Sequence, residues 1–110
     1  MKYLVMTELA EALPHEPREL LRHVEEKVIP THEALLELQQ QGKLLAGGDM
    51  AGRRGTVCIL EAESNAEVTR LLARLPLWPL HETEVIPLES FDERQAMHRQ
   101  MAEALKASAR

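Results

Sequence analysis

Thr56-Val57-Cys58-Ile59-Leu60-Glu61-Ala62, followed by Ser64-Asn65-Ala66-Glu67, is the stretch that decides the fold. The first part is a nearly unbroken apolar run rich in β-branched residues. It reads as a central strand, buried on both faces. Ser64 with an acid three residues later is a capping box, so a helix starts there. Val68, Leu71, Leu72 and Leu75 give that helix an apolar stripe, and Pro76 stops it. Leu77-Trp78-Pro79-Leu80 is a tight apolar turn. Glu82 to Leu88 follows as a strand, with Glu84, Val85 and Ile86 alternating in character.

Working toward the N-terminus, Gly47-Gly48 and Gly52 bracket Asp49-Met50-Ala51. With Arg53-Arg54-Gly55 they make a flexible, hairpin-like connection from a short strand at Lys43 to Ala46. Before it, Leu20, Leu21, Val24, Val28, Leu35 and Leu38 recur at helical spacing, and Gly42 is a natural end for that helix. Pro17 in the first turn and acids beside it suit the start. Pro30 falls inside the run and predicts a kink or a split, with Thr31 capping the second half. Tyr3 to Leu9 reads as the first strand. Toward the C-terminus a last helix runs from about Asp92 to Ala107, with a thin stripe of Ala96, Met97, Met101, Ala104 and Leu105.

The order is therefore β-α-β-β-α-β with a terminal helix. This is an α+β, ferredoxin-like arrangement with an antiparallel four-stranded sheet. Residues 1–90 make the domain and residues 91–110 a helical extension. Two helices cover only one face of the sheet. A second copy covering the other gives a dimeric α+β barrel, so a homodimer or larger homo-oligomer is expected.

Composition narrows the function classes. The chain has 110 residues, enough for one modest core, and 45% of them are apolar, too many for disorder. Tyr3, Trp78 and Phe91 are the only aromatics, too few for a base-stacking surface. The formal net charge of −5 repels phosphate backbones and anionic lipid. No nucleic acid or membrane partner is expected. No apolar run reaches the ~18 residues of a membrane span, and the apolar start is too short for a signal core, so a cytoplasmic location is expected. Cys58, the single cysteine, reads as a small buried strand residue. His15, His23, His32, His81 and His98 are scattered, with no His-x-x-x-His or Cys-x-x-Cys spacing. Gly47-Gly48-x-x-x-Gly52 lacks the Lys-Ser/Thr of a phosphate loop. Neither a metal nor a cofactor is expected.

Glu61-Ala62-Glu63-Ser64-Asn65-Ala66-Glu67, then Leu71-Leu72, then Leu75-Pro76-Leu77-Trp78-Pro79, together resemble muconolactone isomerase. Glu84-Val85-Ile86-Pro87-Leu88 is similar to that family's last strand. Glu37-Leu38-Gln39-Gln40-Gln41-Gly42-Lys43 and Ala51-Gly52-Arg53 fit its pattern as well. The resemblance covers residues 1–90. It implies a ferredoxin-like fold, assembly through a dimer into larger rings, and cofactor-free proton transfer on a small lactone. After Lys43 the isomerases resemble one another in an aromatic, basic, histidine-containing strand. Here those positions read Leu44-Leu45-Ala46-Gly47-Gly48, which implies a different substrate. Thr31-His32-Glu33 followed by Leu44 to Gly48 is also similar to the YCII-related proteins, another dimeric-barrel family. That likeness implies that His32 works with an aspartate, and Asp49 is its match.

His32 is the leading candidate base, because removing a proton alpha to a carbonyl needs a group that titrates near neutrality. Asp49 is the second catalytic candidate, to orient His32 or to accept a proton. Arg53, with Arg54 beside it, suits a forked contact to a substrate carboxylate. Glu37 is a further pocket acid, though five residues from His32 it does not share that residue's face closely. Trp78, between prolines, packs against a partner or lines a pocket. Two functions remain open on these residues. One is a cofactor-independent isomerase or related proton-transfer enzyme acting on a small-molecule substrate. The other is a non-catalytic ligand-binding or assembly domain of the same fold, with the replaced strand at Leu44 to Gly48 in its favour.

Overall fold

A computed structural model describes residues 1–109; Arg110, the end of the expected extension, lies outside the described residues. Strand β1 (Lys2–Leu9) leads to helix α1 (Pro17–His23), a π-helical turn (Val24–Val28) and helix α2 (Ile29–Gln40). Strands β2 (Leu44–Asp49) and β3 (Gly55–Glu61), helix α3 (Asn65–Leu72), a 3₁₀ turn (Trp78–Leu80), strand β4 (His81–Leu88) and helix α4 (Phe91–Ser108) complete the chain. The strands order as β2-β3-β1-β4 and pair antiparallel throughout. This is the ferredoxin-like α+β sheet that the element order implies.

Local chemistry explains the boundaries. Ser64 caps α3, its hydroxyl accepting from the Glu67 N–H at 3.2 Å. The Glu67 carboxylate accepts from the Glu63 N–H and from Lys43 Nζ, both at 2.9 Å, so the same acid ties α3 to the start of β2. Those bonds hold the Glu67 carboxyl below its usual range, the backbone one most of all. The core lies between the sheet and the helices, with Tyr3, Val5, Leu38, Leu60, Val68 and Leu71 at its centre.

Four expectations need correction. Pro30 does not split the helix. The backbone stays helical from Pro17 to Gln40, and the irregularity falls one turn earlier, where the Ile29 N–H bonds back to the Val24 carbonyl. That wider turn relieves the crowding a proline imposes on the preceding turn, so Pro30 is absorbed near the start of α2. Thr31 caps nothing: it is buried, and its hydroxyl accepts from the Leu77 N–H at 3.0 Å. β2 runs on to Asp49, so Gly47, Gly48 and Asp49 belong to a strand, and the turn is left to residues 51–54, with Gly52. β3 is covered on one face only; Cys58 and Leu60 are buried beneath the helices, while Val57 and Ile59 are half-buried on the open face.

Gly47 makes the extended β2 feasible. Its φ is +150°, and a Cβ there would lie 2.5 Å from the Val57 carbonyl oxygen and 2.7 Å from Cys58 Cα. Only glycine lets β2 lie this close to β3 and bring Asp49 opposite Thr56. At the other end of the chain α4 buries no residue and stands off the domain, and the chain with it extends 73 Å along its longest axis. No described helix is long and apolar enough to cross a membrane.

Candidate active site

Residues opposite one another in a ladder point to the same face, so the strand register shows what lines the helix side of the sheet. Tyr3 pairs with Leu60 and Val5 with Cys58, all apolar. Further along, Asp49 pairs with Thr56, Thr56 with Thr7, and Thr7 with Thr83. One polar row thus crosses all four strands. His81, opposite Leu9, follows on the same face.

His32 reaches this row from α2. Its Nε2 lies 2.7 Å from Asp49 Oδ2, and its Nδ1 lies 3.1 Å from the Val28 carbonyl oxygen. Both neighbours are acceptors. A ring protonated on both nitrogens donates to both; a neutral ring donates to one. The second Asp49 oxygen accepts from the Thr56 hydroxyl at 2.9 Å. Partial burial alone would raise the Asp49 carboxyl, and it is the largest single influence. The bonds from His32 and Thr56, with the His32 charge, outweigh it together and hold the carboxyl below its usual range.

The pair opens on a cavity of about 170 Å³. This is small beside typical ligand pockets of roughly 300–1,000 Å³, and suits a compact substrate. Leu13, Leu20 and Val24 supply apolar walls; Arg53, Arg54, His23 and His81 supply charge and proton-transfer groups. Arg53 is forked onto Glu8, with Nε 3.0 Å from Oε1 and Nη2 on Oε2. Arg54 has no carboxylate within 4 Å among the described residues. A second void of about 20 Å³ lies deeper, toward the core, and shares Thr31, Thr56, Leu77 and His81 with the first.

The structure therefore brings His32, Asp49 and Arg53 around one cavity. It does not bring Glu37 or Trp78 there. Glu37 faces outward on α2 and accepts from Gln41 Nε2 at 3.2 Å. Trp78 packs against the core and lines only the deeper void and a groove beside α3. Cys58 is buried, and burial pushes its thiol up to about 11, so it carries no thiolate at neutral pH. Among the described residues no group of three or more His, Cys, Asp or Glu side chains could hold a metal ion.

Sequence reasoning missed His23 and His81. For His81 a signal was present. Glu82 and Glu84 mark the outer face of the last strand, and a period of two then turns His81 and Thr83 inward. Burial lowers the His81 pKa from its ordinary 6.5, and the nearby His23 charge lowers it further.

Comparison with known proteins follows the same outline. The family model described as muconolactone delta-isomerase matches residues 1–94. A crystal structure of muconolactone isomerase at 3.3 Å resolution superposes with a TM-score of 0.68 and 20% identity, covering 82% of this chain and 90% of that one. The 5-chloro-2-hydroxyhydroquinone dehydrochlorinase of Burkholderia phenoliruptrix AC1100, solved with 2,5-dihydroxybenzoquinone, gives 0.61 and 21% over 84% of this chain and 98% of that one. At these identities the likeness establishes the fold. No curated protein matches the chain by sequence.

Proposed function

Because this chain belongs to the muconolactone delta-isomerase family, we propose that it is a cofactor-independent enzyme that moves a proton on a small lactone or carboxylated substrate. The observation that carries this reading is the 2.7 Å contact between His32 Nε2 and Asp49 Oδ2 at the wall of the cavity. Nδ1 is committed to the Val28 carbonyl, so protons come and go at the Nε2–Oδ2 contact. The Asp49 charge stabilises the imidazolium whenever the ring holds the extra proton. A proton shift within one molecule moves no net electrons, so the chemistry needs no redox partner.

Arg54 anchors the substrate carboxylate in this reading. Arg53 already satisfies Glu8 and braces the cavity mouth, whereas Arg54 lines the cavity with its guanidinium free of any described acid. The proposed working form is a homodimer or a larger ring. On the open face of the sheet Leu4, Met6, Val57, Ile59 and Ile86 are only half-buried, an apolar surface that a second copy would cover.

The test is His32→Gln, assayed first on muconolactone and then on other small carboxylated lactones. Turnover falls by ~10²–10⁴-fold, the usual worth of a general acid or base. The melting temperature stays close to that of the wild type, since the His32 side chain is 46% exposed. Equal rates for both proteins would overturn the assignment. A wild type that turns over none of these compounds would favour the non-catalytic binding domain.

A further inference from the structure

We propose that His81 is a second proton-transfer group, the base of the site, and that the His32–Asp49 pair facing the same cavity is its acid. This rests on the proton-transfer reading above and gives it a direction. An isomerisation that relocates a double bond needs a proton removed from one carbon and another delivered elsewhere. One group can do both in turn, or two groups facing the substrate can divide the work.

The sheet provides two groups. Asp49 ends β2, one edge strand; His81 begins β4, the other edge strand. Three strand spacings separate the two edges, about 14 Å between backbones. Both side chains belong to the helix-facing layer and line the same cavity, with Thr56 and the Thr7 backbone position between their strands. The cavity of about 170 Å³ that both line suits a single small ring. His81 also sits where the cavity meets the deeper void, and His32 and Asp49 do not. The inner position is thus held by His81 and the outer one by the pair.

The two stations differ in their hydrogen bonding, which sets the direction. Both His32 nitrogens face acceptors, so that ring is arranged to hold and give a proton. Among the described residues nothing hydrogen-bonds to the His81 ring, which leaves a nitrogen lone pair for substrate. Burial and the His23 charge favour the neutral His81 ring at pH 7. His23, His32, Asp49, Arg53 and Arg54 are the other titratable groups around the cavity. The backbone at His81 is fixed: the Leu77 N–H donates to Thr31, and the His81 N–H donates to the Trp78 carbonyl. Thr31 adjoins His32, so one buried hydrogen bond locks the elements that carry both stations.

The step balances. His81 takes a proton from the carbon gamma to the conjugated carbonyl, and the C–H electron pair delocalises through the double bond into the carbonyl as a dienolate. His32 gives its Nε2 proton to the alpha carbon, and the double bond moves from the alpha,beta to the beta,gamma position. The proton left on His81 returns to His32 through water, with no net change over a cycle.

Two measurements test this. Nitrogen NMR of the histidine rings in the ligand-free protein reads a neutral His81 at pH 7, assigned by its loss in His81→Gln. A protonated His81 at that pH would overturn the base assignment, whatever the substrate. Muconolactone in deuterium oxide then separates the stations. His81→Gln loses both exchange of the substrate proton and turnover by ~10² or more. His32→Gln keeps the exchange and loses turnover. The reverse pattern, or a His81→Gln protein as active as the wild type, would refute the direction while leaving proton transfer by His32 standing. A wild type that neither exchanges nor converts muconolactone would count against the proton-transfer reading itself, with the ring state of His81 still measured independently.

Discussion

The helix-facing layer of the sheet has two ends of opposite character. At one end Tyr3, Val5, Cys58 and Leu60 lie within 5% of full burial, packed under α2 and α3. At the other, Asp49, Thr56 and His81 face a cavity that holds the half-exposed His32–Asp49 contact. The same four strands and the same helices cover both. The apolar end gives the burial that makes the fold stable. The polar end leaves space unfilled and polar groups partly desolvated, which costs stability and provides a site. Stability and chemistry are divided along the strand direction and not between separate domains.

Substitutions at the two ends should therefore behave differently. The largest stability effect is expected for Leu60→Ala at the apolar end, where the side chain is 1% exposed. A loss of ~2–5 kcal/mol is expected from lost burial and the cavity left behind. In thermal melts that is on the order of ten degrees or more. A loss comparable to a surface substitution would break the contrast.

Thr31→Val tests the seam between the ends. It keeps the volume but strands the Leu77 N–H, which donates to the Thr31 hydroxyl. A cost of ~1–3 kcal/mol is expected in chemical denaturation. Activity should also fall, because the bond registers α2 against the turn that precedes His81. Unchanged stability would show that Leu77 finds another acceptor and that the seam is soft.

The smallest effect is the pH dependence of the polar end. His81 has a folded pKa below its ordinary 6.5, so the unfolded chain takes up the proton first. Stability should decline as pH falls from about 6.5 toward the folded value, and His81→Gln should flatten that decline. Asp49 has a folded pKa below 3.8, so its contribution is present above that value and is lost as pH falls through the folded one. Asp49→Asn should remove only this lower step, and the step should be modest because the side chain is 54% exposed. A single step in place of two separate windows would mean that the two groups titrate together.

Much of the fold was legible in local chemistry. The capping box at Ser64 and the alternation of Glu82 to Ile86 each report on neighbours a few residues away, and α3 and β4 stand where these signals put them, although α3 ends at Leu72, short of the expected stop at Pro76. Pro30 misled because a proline announces a lost donor but not how the chain accommodates it, and here a π-helical turn upstream does so. Gly47-Gly48 misled because glycine suits both a turn and a strand pressed against its neighbour. The 2.5 Å separation between a Gly47 Cβ and Val57 that selects the strand is a contact between segments.

The site divides the same way. Residue type singled out His32, since a histidine titrates near neutrality, and the likeness to the YCII-related proteins pointed to Asp49 as its partner. Type also suggested Glu37 and Trp78, which the helix face and the core packing turn elsewhere. By itself the sequence determined the element order, the apolar faces and hence the ferredoxin-like sheet, because hydrophobic period and capping act over a few residues. Only the tertiary structure decided which polar groups share a cavity. Antiparallel pairing carries Asp49 and His81 to opposite edges of one sheet face, and registers between distant strands are set by packing that no local pattern records.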